Sequence, residues 1–237
     1  MSSEILKSHN EIHAARDILK RTGLSCITPW PLSILKKFGI LNGINVGDRI
    51  KSWDVLKTIE YIRTNLPSSS RILDIGAYAS EILCILNRLR YSSLTGIDLN
   101  PMIKKMPHSD VIRYEVSDFM ASPFGGESFE ALSAISVIEH GFDGQRLLKE
   151  ISRLLCPGGH FFASFDYWPE KVDTTGIHVF DMKWDIFSKD EILDFVEKAK
   201  TYGLHPVGEL RLDAEDKVIR WGGKEYTFAW LALRKTA

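Results

Sequence analysis

Three acidic residues stand at the ends of successive apolar runs. Asp74 closes "RILDI" and is followed by Gly76, Asp98 closes "SLTGID", and Asp118 follows "VIRYEV" with Phe119 beside it. A carboxylate at the edge of a buried strand is costly unless something donates to it. An acid about one strand–helix unit after a glycine turn can accept hydrogen bonds from both hydroxyls of a ribose. Gly76 lets the backbone approach a ligand with no side chain between them. Asp118 can accept from the exocyclic amine of an adenine while Phe119 covers the ring. Singly, each acid is equally suited to a helix N-cap or a solvated turn; three at consecutive strand ends point to a nucleoside site. A fourth run, "ALSAIS", delivers Ser136 and then Glu139-His140.

Bringing these side chains to one edge requires a parallel sheet, because open α/β sheets bind ligands beyond the carboxyl ends of their strands. The pattern supplies one. Strand 71–75 is followed by a helix bearing Ile82, Ile85, Leu86 and Leu89, and then by a strand ending at Asp98 with Pro101 suited to a helix's first turn. Residues 111–116, 131–136 and 160–166 read as further strands. Between the last two, Leu147, Leu148, Ile151, Leu154 and Leu155 line one helical face, ended by Pro157 and two glycines. Ser188 and Glu191 form a capping box for a helix carrying Ile192, Phe195, Val196 and Ala199, closed by Gly203. "HPVGELRL" and "EYTFAWLALRK" read as a terminal antiparallel pair, with a turn at Trp221-Gly222-Gly223. Before residue 71 the pattern predicts an amphipathic helix in "EILKSHNEIHAARDILKR", which carries Ile5, Ile12, Ala15 and Leu19, then a break at the two prolines of "TPWPLS", and a helix from about Trp53 to Asn65. An N-terminal helical extension, 1–50, ahead of a main domain, 51–237, is therefore expected.

Composition narrows the classes. The chain has 237 residues, 44% hydrophobic and 26% charged, as an ordinary globule does. Thirty Lys plus Arg against 31 Asp plus Glu give a net charge of −1, so no basic footprint for duplex nucleic acid or an anionic membrane emerges from the totals. Cys26, Cys84 and Cys156 form neither a disulfide framework nor a metal knuckle. No metal is expected, the pairs His178/Asp181 and Glu139/His140 being too sparse for one. No signal-peptide core or membrane span is visible, and a cytoplasmic protein is expected. After Gly76 come Tyr78, Ala79 and Ser80, so the G-x-G-x-x-G cradle for a pyrophosphate is missing, as is a Walker loop. The ligand reads as adenosine-like without a pyrophosphate.

The motifs "LDIGAYAS", "LTGIDLNP", "SDFM", "AISVIEH" and "LLKEISRLLCPGG" resemble, in order and spacing, those of the class I S-adenosylmethionine-dependent methyltransferases. The resemblance covers residue 71 onward. It implies an α/β fold: a seven-stranded Rossmann-like sheet, mostly parallel with an antiparallel C-terminal strand, and helices on both faces. It implies S-adenosylmethionine as cofactor and S-adenosylhomocysteine as product. Gly76 and its loop, with Ala77 and Tyr78, would lie against the methionine part, Asp98 on the ribose, Asp118 and Phe119 around the adenine, and Ser136 beside the cofactor, with Asp74 and Leu99 also in the cofactor site. The family commonly has glycines where this chain has Tyr78 and Ser80. With all three acids in place, a turn of different path with Tyr78 in the pocket wall is expected; the alternative is reduced cofactor affinity.

Methyl transfer to oxygen needs alignment of the reactants and removal of a proton. His140 is the candidate base, with Glu139 as alternative or as its orienting partner; packing over the cofactor or capping the next helix is the other role open to His140. The stretch 167–187 is long for a connection. Tyr167, Trp168, Phe180, Trp184 and Phe187, with Asp166, Asp173, Thr174 and Thr175, suit it to an acceptor pocket. A loop with its own small aromatic core is the competing reading. Among these, Asp166, Tyr167, Trp168, Thr174 and Trp184 are the expected acceptor-binding residues. The expected acceptor is a hydroxyl, or less favourably an amine, of a small molecule or saccharide. RNA or protein methylation and a non-catalytic partner subunit are the alternatives, and self-association through the extension is open.

Overall fold

The computed structural model describes residues 2–141, 143–179 and 181–236. Along the chain run β1 (Ser3–Ile5), α1 (His9–Arg21), α2 (Trp30–Lys37), α3 (Ser52–Asn65), β2 (Arg71–Ile75), α4 (Ile82–Arg88), β3 (Ser93–Asp98) and β4 (Arg113–Val116). There follow β5 (Phe129–Ile135), α5 (Gly144–Leu154), β6 (Leu155–Tyr167), β7 (His178–Val179), β8 (Met182–Lys183), α6 (Lys189–Thr201), β9 (Leu204–Pro206), β10 (Ile219–Trp221) and β11 (Lys224–Lys235). The chain forms two compact units, one of Ile12–Ala121 and one of Met1–Glu11 with Ser122–Ala237. The boundary expected near residue 50 falls inside the first of these, at a turn of 3-10 helix, Arg49–Lys51.

In the Ile12–Ala121 unit, β2, β3 and β4 pair in parallel, Asp74 opposite Gly96 and Asp98 opposite Val116. Ile72, Leu73 and Ile75 are fully buried, as strands covered on both faces must be. Gly96 is obligatory in β3: a Cβ there would come within 2.8 Å of both the Ala77 Cβ and the Tyr114 ring. The prolines expected to break a helix at residues 28–33 instead open one. Pro29 is the N-cap of α2 and Pro31 sits in its first turn, where the missing N–H costs nothing.

In the other unit β5 and β6 are parallel, and the long β11 runs antiparallel to β6. The final antiparallel strand of the expected α/β class is thus present. Two three-residue strands, β1 and β10, add to the seven expected, both antiparallel on β11. The "HPVGELRL" strand is cut to β9, which pairs with β11 as the terminal partner, while residues 207–218 take no regular structure. Gly222 and Gly223, both with positive φ, make the two-residue turn between β10 and β11. α5 ends at Leu154, before Pro157, because Leu155 already begins β6. The capping box of α6 forms: Ser188 N donates to Glu191 Oε2 at 2.8 Å, and Glu191 N donates to Ser188 Oγ at 3.3 Å. Among the described residues no helix is long and apolar enough to cross a membrane.

Candidate functional site

The strand-end residues of the Ile12–Ala121 unit form one hydrogen-bonded turn. Gly76 (φ 70°) and Ala77 donate their N–H groups to the Ile97 carbonyl at 2.9 and 3.2 Å, folding the chain across the end of β3. Tyr78 N then donates to Asp98 Oδ2 at 3.0 Å, and Asn100 N to Asp98 Oδ1 at 2.8 Å. Asp98 is half-buried, and two bonds occupy half of the roughly four lone-pair directions of a carboxylate. Each oxygen can still accept a hydroxyl. Asp118, also half-buried, accepts from Met120 N through Oδ1. Leu99 is exposed, whereas Phe119 and Ala77 are buried and act as packing. Asp74 is buried beneath the turn.

Ala79 takes the second left-handed position of this turn (φ 62°), a conformation that glycine adopts without strain, and lies between Tyr78 and Ser80, where the family commonly has glycines. It is over-determined from both sides. Its carbonyl accepts from Gly47 N at 2.8 Å, and its N–H points to Met106 Sδ at 3.3 Å. Strain held this way concentrates at ligand sites.

Sequence reasoning missed what stands behind the turn. Glu81, the N-cap residue of α4, is buried and paired with the buried Arg16 of α1, whose Nη1 reaches Glu81 Oε2 at 3.1 Å. Arg16 Nε also donates to Ser52 Oγ at 2.8 Å, and Cys26 N donates to Glu81 Oε2 at 3.0 Å. The weakly patterned stretch before residue 50 therefore buttresses the turn. Nothing local signals a pair 65 residues apart. Removing one member of a buried ion pair costs about 3–5 kcal/mol. Arg16→Met should lose that much in urea melts, and Arg16→Met with Glu81→Leu should recover most of it. A single-variant loss under about 1 kcal/mol would mean the pair is solvated like a surface bridge.

The remaining candidates belong to the other unit. Ser136, just past β5, has φ 54°; its N–H donates to the Ser164 carbonyl at 2.9 Å, and its Oγ is buried without a hydrogen-bond partner among the described residues. Glu139 is buried, His140 half-buried, and residues 184–185 run beside them, with Asp185 N donating to the Glu139 carbonyl at 2.9 Å. Trp184 is fully buried, gives its Nε1 proton to Asp166 Oδ2 at 2.7 Å, and packs edge-on against Trp221 and Tyr226. Burial pushes the Tyr226 phenol up, reinforced by the Asp166 and Glu139 carboxylates. Tyr167 is fully buried with its hydroxyl on the Leu212 carbonyl. Burial and the charges of Asp213, Glu170 and Asp190 raise it as well.

Tyr167 and Trp184 thus serve as core, the packing role that competed with a pocket wall. Trp168 is half-buried under Lys217, and Thr174 is buried. Phe180 lies outside the described residues. A cleft of about 480 Å³ between α5 and α6 is lined by Asp143, Leu147, Glu191, Phe195 and Phe187, the last from the aromatic connection, and by none of the residues expected to bind cofactor or acceptor. Among the described residues no group of three or more His, Cys, Asp or Glu could hold a metal ion.

Residues 73–163, which carry the glycine turn, Asp98, Asp118 and the Glu139-His140 pair, match the methyltransferase-domain family model. This segment is a methyltransferase domain of the kind that uses S-adenosylmethionine. It is 31% identical over 116 residues to a ubiquinone biosynthesis O-methyltransferase of Xanthomonas axonopodis pv. citri, covering 45% of this chain and 47% of that protein. It is 26% identical over 155 residues to a cycloartenol-C-24-methyltransferase of Arabidopsis thaliana, covering 62% of this chain and 45% of that protein. The chain spans about half the length of the curated relatives it matches. Among solved structures, the cyclase SpnF superimposes with a TM-score of 0.58 at 16% identity, covering 98% of both chains. That likeness shows the fold.

The residues of this domain fit the cofactor of that family, S-adenosylmethionine. Asp98 retains acceptor capacity for two ribose hydroxyls, and Asp118 Oδ2 for an amine. The turn at Gly76 brings bare backbone to the same strand ends.

Proposed function

We propose that this chain methylates a small-molecule hydroxyl, saccharides included, with an amine as the less favoured acceptor atom. The reading is carried by Asp98, whose carboxylate fastens the glycine turn and still has two acceptor directions to offer. Bound there, S-adenosylmethionine supplies a methyl group activated by a sulfonium. Asp98 holds the ribose, Asp118 the adenine amine, and the 76–80 turn the methionine part. Ser136 offers its Oγ as a further hydrogen-bonding group. His140 accepts the acceptor's proton, with Glu139 orienting it, and the half-buried Trp168 contributes to acceptor recognition, while Asp166 and Thr174 are buried.

A small molecule is supported by the names of the relatives, one a ubiquinone biosynthesis O-methyltransferase and the other a cycloartenol-C-24-methyltransferase. Those two names include both oxygen and carbon, so oxygen rests on His140. The near-zero net charge weighs against RNA. A partner-subunit role is the second reading, favoured by one observation: a cyclase shares the whole fold, so the fold alone does not set the reaction.

Calorimetry with S-adenosylmethionine, followed by transfer of a labelled methyl group to panels of phenols, saccharides and amines, tests the proposal. Heat of binding and label on a hydroxyl are expected. A folded chain that gives no heat at high micromolar cofactor would reject it in favour of the second reading.

A further inference from the structure

The first unit carries an apolar surface that the cofactor site does not use. α2 buries none of its residues. Around it Trp30 is 72% exposed, Phe38 74% and Ile40 68%, with Leu32 and Leu41 also exposed. The chain gathers them deliberately. Gly39 (φ 69°) donates to the Lys36 carbonyl and Ile40 to the Leu35 carbonyl at 2.9 Å, a Schellman closure that folds Ile40 back on the last helical turn beside Phe38. Trp30 and Phe38 lie eight residues apart, about two helical turns, and so on neighbouring faces of the same rod. Two aromatics alone offer on the order of 150–250 Å² each, which puts the patch in the range that marks an interaction surface.

Charge decides what covers it. Between Cys26 and Gly47 there is no acidic residue, while Lys36 and Lys37 end the helix. Lys36 is tied to the Ile44 carbonyl at 2.8 Å, and Lys37 is exposed. An isologous contact with a second copy would bring the same lysines together with no acid from the 26–47 segment to meet them. An exposed tryptophan, a phenylalanine and two aliphatics beside lysines suit the boundary between anionic headgroups and acyl chains. We propose that the Trp30–Leu41 segment docks this protein on an anionic lipid surface, with Trp30, Phe38 and Ile40 entering the acyl boundary and Lys37 meeting the headgroups. The chain's near-zero total charge conceals this local patch.

The test is co-sedimentation of the full chain with vesicles of phosphatidylcholine alone or mixed with phosphatidylglycerol. Binding to the mixed vesicles at least tenfold tighter than to the neutral ones is expected, weakening with salt. Trp30→Ser with Phe38→Ser and Ile40→Ser should cut it at least tenfold, with S-adenosylmethionine affinity and circular dichroism unchanged. Lys37→Glu, a single surface change, should cut it about threefold and serves as the test should the triple variant not fold. No binding at millimolar lipid, or binding undiminished in these variants, would overturn the proposal. So would a lipid-independent dimer in sedimentation equilibrium that the same substitutions dissociate, or capture of an acidic peptide in place of lipid.

Discussion

Asp98→Ala should weaken S-adenosylmethionine binding by about 100-fold or more, with the fold retained. Hydrogen bonds to a charged group contribute about 1.5–3 kcal/mol each. Two ribose hydroxyls on this carboxylate therefore amount to roughly 3–6 kcal/mol, where about 1.4 kcal/mol is tenfold in affinity. The substitution also releases Tyr78 N and Asn100 N, the two donors by which Asp98 fastens the turn, so cradle and grip fail together. Asp98→Asn keeps one acceptor oxygen and should fall between, at about tenfold. Calorimetry with S-adenosylhomocysteine gives the same readout without turnover. Affinity within threefold of the parent would reject the ribose assignment.

His140→Gln should lower kcat by about 10²–10⁴, the usual contribution of a positioned base, while cofactor affinity stays within a factor of about three. The split matters because His140 belongs to a buried polar neighbourhood. Glu139 beside it is buried, its carbonyl holds Asp185, and Trp184 alongside is clamped to Asp166. A merely structural histidine would lower thermal stability and cofactor binding together with turnover. Glu139→Gln separates the pair: if Glu139 orients His140, the two single variants and the double should show similar losses, as residues acting as a unit do.

Much of the strand-end arrangement was legible because its signals are local. An apolar run that ends in an acid and a glycine identifies a strand edge without knowledge of its neighbours, and Asp74, Asp98 and Asp118 all lie at or just past the strands the pattern predicts. The Ser188–Glu191 box depends on residues three apart and forms as written. The long connection of residues 167–187 was less legible. Aromatic residues in a long connection suit a pocket wall and a private core equally, and only their burial separates the two roles. For Trp184 and Tyr167 that burial is complete.

By itself, then, the sequence determined the α/β alternation, the strand-end acids, the glycine turn and the helix caps, since each follows from periodicity or from hydrogen bonds within a few residues. Tertiary structure alone decided which distant groups complete them. Thr227 Oγ1 donates to the Leu6 carbonyl across 221 positions, β1 joins β11, and Arg16 neutralises Glu81 behind the glycine turn. A buried charge must find its counter-charge wherever the folded chain brings one, and spacing along the chain carries no record of that meeting.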